Sequence, residues 1–212
     1  MFRHLGFRRA HVADVAADAG MSSGAIYSYV ESKDALFHLV VAIGFDQFDA
    51  DQPLPLRAPP LETTLDVIDQ GLRAKASTPT LRAALRNPPP QDAAAELAAI
   101  VDEQYSMIGA LWPMLSLIEA CATDIPALEE LYYGRRRRRY HDQLTEYLRL
   151  RTSQGSLSEM PDVGVAAQLI TESVVWFAGK RLMGHDAHRF DDQSAHDTVI
   201  AFICRALAKG EA

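Results

Sequence analysis

Apolar residues recur at helical spacing along most of the chain. In HVADVAADA, Val12, Val15, Ala16 and Ala19 fall three and four apart and the run stops at Gly20, which predicts a short helix from about His11 to Ala19 with a glycine terminus. Ala25, Ile26 and Tyr29 repeat the spacing behind Ser22 and Ser23, either of which suits an N-cap, so a second helix follows after about three residues. Ser32 can cap a third. Asp34 sits in its first turn, where the helix dipole favours an anion, and Leu36, Leu39, Val40 and Ile43 form a stripe that predicts a helix to about Asp49. The proline-rich stretch QPLPLRAPP, residues 52–60, breaks the pattern and reads as a linker.

Beyond it, Leu61, Leu65, Ile68 and Leu72 define a helix, NPPPQ at 87–91 a loop, and Leu97, Ile100, Val101, Gln104, Ile108 and Leu111 another helix. Pro113 is expected to kink or end that helix. A long helix is predicted from about Ala127 to Arg151, closed by Gly155, and two last apolar helices, about Val163 to Met183 and Asp192 to Ala208, flank GHDAHRFD. Ile170, Val174, Val175 and Phe177 in one, and Val199, Ile200, Phe202 and Ile203 in the other, occupy more than one face, so both need cover on two sides. Strand-like alternation is scarce, and the expected fold class is all-α.

Composition narrows the setting. A chain of 212 residues, 48% hydrophobic, can bury a core without disulfide or metal support. Cys121 and Cys204 have no C-x-x-C partner, which fits a reducing compartment. The apolar stretch Leu39 to Phe45 is too short to span a bilayer, and the basic opening MFRHLGFRR leads to no signal-peptide core, so a cytoplasmic protein without a membrane anchor is expected. Net charge is −7, yet in residues 1–44 Arg3, Arg8, Arg9 and Lys33 balance Asp14, Asp18, Glu31 and Asp34. The acidic excess lies entirely beyond residue 44, so any nucleic-acid contact must be local.

The string VADVAADAGMSSGAIYSYVESKDALF has the layout of a helix-turn-helix: a supporting helix, a glycine turn, and a short second helix whose first residues can enter the major groove. It resembles the TetR family of regulators, with Val30 where phenylalanine is commoner. The resemblance implies that Ser22 to Tyr29 lie in the groove, with Ser23, Gly24 and Ala25 nearest the base edges. Gly24 lets the backbone approach DNA, and Ala25 can touch a thymine methyl. His11, Val12, Ser22, Tyr27, Tyr29 and Lys33 complete the expected DNA-binding set, the tyrosines and Lys33 as phosphate contacts that position without reading sequence. Core packing is the competing role for Tyr27.

Two positions depart from the family. His11 replaces the usual Ser or Thr, which would cap the supporting helix. Five residues precede Gly6 where the family has a full first helix, so helix 1 reads as truncated. Either the true start lies upstream of Met1, the alternative we expect, or most of that helix is lacking. Its loss would leave Val15, Ile26 and Leu36 partly exposed.

Three other patterns carry bland readings. Gly20 to Gly24 satisfies G-x-S-x-G, but a nucleophile elbow needs a strand before it and here a helix precedes, so no catalytic residue and no enzyme is expected. His185 and His188 are spaced as a metal pair in a polar loop with no third ligand, so neither metal nor other cofactor is expected. Arg135 to Arg139 point in several directions around a helix. Only Arg137 falls near the face shared by Tyr133, Tyr140, Leu144, Tyr147 and Leu148; it should be partly covered and paired, with an internal salt bridge favoured over an anionic ligand.

The resemblance further implies a ligand-binding and dimerisation domain over 45–212 behind a DNA-binding domain over 1–44. Met107, Leu111, Trp112, Leu115, Tyr133, Arg137, Trp176 and Phe177 are the candidate effector contacts, their thioethers and aromatics suiting a largely apolar small molecule, with ordinary core packing as the competing role for the apolar ones. Homodimerisation is expected through the last two helices, packed with their mates as a four-helix bundle. The expected partners are double-stranded operator DNA and a small-molecule effector that releases the protein from it. A helical small-molecule-binding protein that has lost DNA binding is the alternative.

Overall fold

The computed structural model describes residues 1–184, 187 and 189–209. The described chain is all-α, with isolated bridges at Val30–Leu56 and Leu157–Ala208 as its extended pairings. By its contacts the chain divides into two compact units, residues 1–77 with 113–135, and residues 78–112 with 136–212. The helix α6, Ala93–Ala122, contributes its first part to the second unit and its last part to the first.

The first unit holds α1 (Phe2–Arg9), α2 (Val12–Asp18), α3 (Lys33–Gly44), α4 (Leu61–Lys75) and α7 (Pro126–Glu129). Gly6 breaks α1 with φ +74° and ψ −178°, a conformation closed to residues with a Cβ. A Cβ there would also lie 2.9 Å from the Ala120 carbonyl oxygen and the Asp124 carboxylate. The bend lays α1 on the end of α6, where the Arg8 N–H donates to Asp124 Oδ2 at 2.7 Å and Arg3 Nε to Ser116 Oγ at 2.9 Å. Phe2 and Phe7 both meet the Phe37 ring edge-on, at 5.6 and 5.3 Å. Short as it is, this helix gives α3 apolar cover. Of the three residues that loss of this helix was expected to leave partly exposed, Ile26 and Leu36 are buried and only Val15 is half-buried.

Helix ends correct two further expectations. α3 stops at Gly44 rather than near Asp49 because Asp46 turns to φ +57° and the Gln47 N–H reaches back to the Ala42 carbonyl, a left-handed C-terminal closure. Gly44 packs against Met114 so closely that a Cβ would collide with its sulfur. Pro113 does not end α6, which continues to Ala122; the division between the two units falls there instead.

The second unit packs α5 (Pro79–Ala84) on α8 (Arg138–Ser153), α8 on α9 (Val163–Ala178), and α9 on α10 (Asp192–Leu207). A π-helical stretch, Glu130–Arg137, leads into α8, so the predicted long helix is continuous but not uniformly α. Its wider turn breaks the regular wheel: Tyr133 is exposed, while Leu144, Tyr147 and Leu148 are fully buried. The helix predicted to reach Met183 ends at Ala178 and passes through Gly179 into a 3₁₀ turn, Lys180–Met183.

Within this unit His196 of α10 bridges two carboxylates, Nε2 to Asp102 at 2.7 Å and Nδ1 to Asp197 at 2.9 Å. The Asp197 bond, with Asp102 behind it, raises the imidazolium above its ordinary value although partial burial opposes this. A raised folded-state value means that the stabilisation is complete below about pH 6.5, the unfolded value, and is lost as pH rises through the folded one. The parent should therefore lose stability over that interval, and His196→Gln should flatten the profile; chemical denaturation at stepped pH reads the difference.

Candidate nucleic-acid interface

α2 begins at Val12 after His11, which takes the N-cap position at φ −105° and ψ 145° but forms no side-chain cap bond. The short imidazole reach leaves the first-turn N–H groups without the partner a Ser or Thr would supply. His11→Thr should raise stability by about 1 kcal/mol in thermal unfolding. α2 closes at Gly20, φ +68°, with the Met21 N–H bonded to the Ala16 carbonyl at 2.8 Å and the Gly20 N–H to Ala17 at 3.0 Å. That paired closure makes the sharp turn between the two helical segments.

The second segment is shorter than predicted, a single 3₁₀ turn over Ala25–Ser28 rather than a helix to Tyr29. Gly24, the β-branched Ile26 and two aromatics are weak helix formers, and a four-residue turn closes with i to i+3 bonds instead. Ser22 Oγ caps it, accepting from the Ala25 N–H at 3.1 Å. Ile26 anchors the turn in the core, and Ser22, Ser23, Gly24, Tyr27 and Tyr29 face outward, the two tyrosines 49% and 51% exposed. Tyr27 is thus not a core residue. Gly24 has open space where a Cβ would point, so no intramolecular contact requires a glycine there. Ala25 is half-buried and His11 exposed, while the Val12 side chain belongs to the core.

Ser32 caps α3, accepting from the Ala35 N–H at 3.1 Å. Lys33, in the first turn of α3, donates to the Arg8 carbonyl at 3.2 Å and lies 4.8 Å from the Phe7 ring centroid. It closes the C-terminal end of α1 and has two further ammonium protons to offer. The G-x-S-x-G string follows an α-helix, which is not the strand-to-helix turn of a nucleophile elbow.

The residues expected to meet an effector divide between the units. Leu115, buried, and Tyr133, exposed, belong to the first; Met107, Leu111, Trp112, Arg137, Trp176 and Phe177 belong to the second. Arg137 forms an ion pair with Glu172, the internal pairing that its place on the helix face predicts. Trp112 is buried with its ring against Gly179, where a Cβ would overlap it. Tyr105 and Arg181 meet the same corner, both donating to the Phe177 carbonyl, at 3.3 and 2.6 Å. Trp176 and Phe177 contact each other edge-on at 4.6 Å, Trp176 being 37% exposed. Met107 is half-buried. His185 and His188 lie outside the described residues.

Two buried arginines of the second unit were missed in the sequence. Arg181 is buried, ion-paired with Asp192, and its Nη1 has no hydrogen-bond partner among the described residues; the same holds for Trp112 Nε1. Arg151, fully buried, is the other cation that no periodicity revealed.

A compact helix-turn-helix that presents a small, polar, exposed turn, in a chain that also holds a second helical unit, is the composition of a DNA-binding regulator. Comparison with known proteins agrees. Residues 1–40 match the model of bacterial regulatory proteins of the tetR family, and residues 110–206 match the C-terminal domain of AefR-like transcriptional repressors. Together the two cover more than half of the chain, which belongs to the TetR family of bacterial transcriptional regulators. No curated protein matches the chain in sequence. A putative TetR-family regulator from Mesorhizobium loti shares the fold with TM-score 0.52 and 16% identity, over 98% of this chain and 91% of that one. AibR, solved with isovaleryl coenzyme A and operator DNA, gives TM-score 0.51 and 14% identity over 95% and 90%. A tetR-family protein from Rhodococcus RHA1 gives 0.50 and 14% over 99% and 92%.

Proposed function

We propose that the protein is a repressor that a small molecule releases from operator DNA, and that residues 1–44 read the DNA while residues 45–212 bind the effector and dimerise. The exposed recognition turn carries this reading: Ser22, Ser23, Gly24, Tyr27 and Tyr29 face solvent on one segment, anchored behind by Ile26. Small residues nearest the bases and hydroxyls at the rim fit direct readout flanked by phosphate contacts. His11, Ala25 and Lys33 flank that face. AibR, of the same fold, was solved with both an acyl-coenzyme A and operator DNA, so the fold accommodates both kinds of partner.

The effector site is assigned to the aromatic corner of the second unit around Trp112 and Phe177. Trp112 Nε1 and Arg181 Nη1 are buried donors with no acceptor among the described residues, and a buried donor left unpaired costs about 1–3 kcal/mol. An apolar molecule with an acceptor oxygen would satisfy them. Dimerisation is assigned to α9 and α10, which leave Val165, Leu169 and Trp176 in a helical stripe and Phe202 74% exposed; a second copy covering them follows two-fold logic. The paired recognition turns must then lie about 34–36 Å apart to enter successive major grooves, and the effector must favour a state that breaks this spacing. The family reading makes the protein a cytoplasmic regulator and not an enzyme. A mobility shift on DNA flanking its own gene, across a salt series, tests the proposal. Specific binding that weakens with salt is expected; no binding at any ionic strength would leave a helical small-molecule-binding protein.

A further inference from the structure

Leu56 sits in the middle of the proline-rich stretch that composition marks as a linker, yet it is 7% exposed and paired main chain to main chain with the end of the recognition segment. Its N–H donates to the Tyr29 carbonyl at 2.8 Å and its carbonyl accepts from the Glu31 N–H at 3.0 Å. Val30, between those two residues, is 1% exposed. Two positions further on, the Ala58 N–H donates to Glu31 Oε1 at 2.9 Å. All of these residues belong to the first unit.

We propose that residues 52–60 form a strap that holds the recognition segment in its DNA-reading conformation, with Leu56 and Glu31 as positioning residues that need not touch DNA. This rests on the DNA-binding reading above. The physical need is clear. A four-residue 3₁₀ turn cannot hold itself, because fixing so short a segment costs more entropy than its few hydrogen bonds return. Ile26 anchors one side of it, and the strap fixes the other at Tyr29 to Glu31. The four prolines of the strap, Pro53, Pro55, Pro59 and Pro60, restrict it before docking and so lower the entropy lost on docking. Pro60 leads directly into α4 at Leu61, so a displacement of α4 has a short route to Tyr29, along the chain to Leu56 and through its hydrogen bond from there.

The strap also accounts for Glu31, an exposed carboxylate in a segment that approaches phosphates. Electrostatics alone makes it a liability for DNA binding; its bond to the Ala58 N–H gives it a task that electrostatics does not.

That opposition of signs supplies the test. Glu31→Ala and Glu31→Gln remove the same charge, but only glutamine keeps an acceptor for Ala58. On operator DNA, Glu31→Ala should bind about fivefold more weakly than Glu31→Gln, with the same salt slope in both. Leu56→Ala, which removes a buried anchor, should weaken binding at least tenfold, an order-of-magnitude expectation for lost core burial. In the parent, hydrogen exchange should find the Leu56 and Glu31 amides protected, and in Leu56→Ala both should exchange faster while the α3 core amides of Phe37 and Val41 do not. Equal affinities for the two Glu31 variants, or unprotected Leu56 and Glu31 amides in the parent, would overturn the strap. A parent that binds no operator at all would instead overturn the DNA-binding reading, and the exchange result would still judge the strap.

Discussion

Glu96→Ala should destabilise the protein by about 3–5 kcal/mol, the usual result of stranding a buried charge. Its partner Arg151 is fully buried in α8, and the two are joined by a forked pair of bonds, Nε to Oε1 at 2.7 Å and Nη2 to Oε2 at 3.0 Å. Nη2 also donates to the Ala84 carbonyl at 2.8 Å and Nη1 to Gln154 Oε1 at 2.9 Å, while the Tyr147 ring lies 5.5 Å from the guanidinium carbon. One side chain thus ties the end of α5 and the start of α6 to α8. Arginine cannot lose its proton to escape, so removal of Glu96 leaves the whole penalty in place. Arg151→Met should cost less, because Glu96 is partly exposed and water can solvate its carboxylate. The pair Glu96→Gln with Arg151→Met should recover much of the loss by replacing ion-pair chemistry with packing. Urea unfolding of Glu96→Gln, Arg151→Met and their double variant closes the cycle, with Glu96→Ala measured beside them. A loss below about 1 kcal/mol for Glu96→Ala would mean that the network behaves as a surface ion pair.

What the sequence revealed and what it hid divide along a physical line. Helices with one apolar stripe, such as α2 through Val12 and Ala16 or α4 through Ile68 and Leu72, were legible because burial repeats at the helical period. The cap Ser32 was legible too, and Ser22 as one of two candidates with Ser23, since a hydroxyl before an apolar stripe has a local task. Buried cations were not. Arg151 and Arg181 look like any solvated arginine until a distant carboxylate, Glu96 or Asp192, arrives by folding. The strap was hidden for a related reason: a proline-rich stretch advertises a break in helix, and only the tertiary pairing of Leu56 with Tyr29 and Glu31 shows that it is docked. Leu54 and Leu56 alternate with prolines there, and nothing local tells that Leu56 is buried while Leu54 is exposed. The π-helical stretch before α8 misled in the opposite direction, because a wheel drawn at about 100° per residue assumes the regular α-helix that it interrupts.

Gly24→Leu should weaken operator binding at least thirtyfold while leaving the fold intact. Gly24 has φ −81° and ψ −35°, an ordinary conformation for any residue, and a Cβ there would meet nothing within 4 Å. Neither backbone strain nor packing therefore requires glycine, which contrasts with Gly6, where both do. Thermal stability should stay within about 0.5 kcal/mol of the parent, as for surface positions generally, and restricting the unfolded chain acts in the stabilising direction. On DNA the outcome differs, because a leucine on the exposed turn would hold the backbone of Ser23 to Ala25 away from the base edges. Losing contacts worth about 1–3 kcal/mol each should lower operator affinity at least thirtyfold if two are broken. Contacts to phosphates from the rim survive, so binding to unrelated duplexes should change little and keep its salt slope. The ratio of specific to non-specific affinity is thus the informative quantity. If Gly24→Leu binds operator as the parent does, the recognition turn does not enter the groove, and the exposure of Ser23, Tyr27 and Tyr29 needs another explanation.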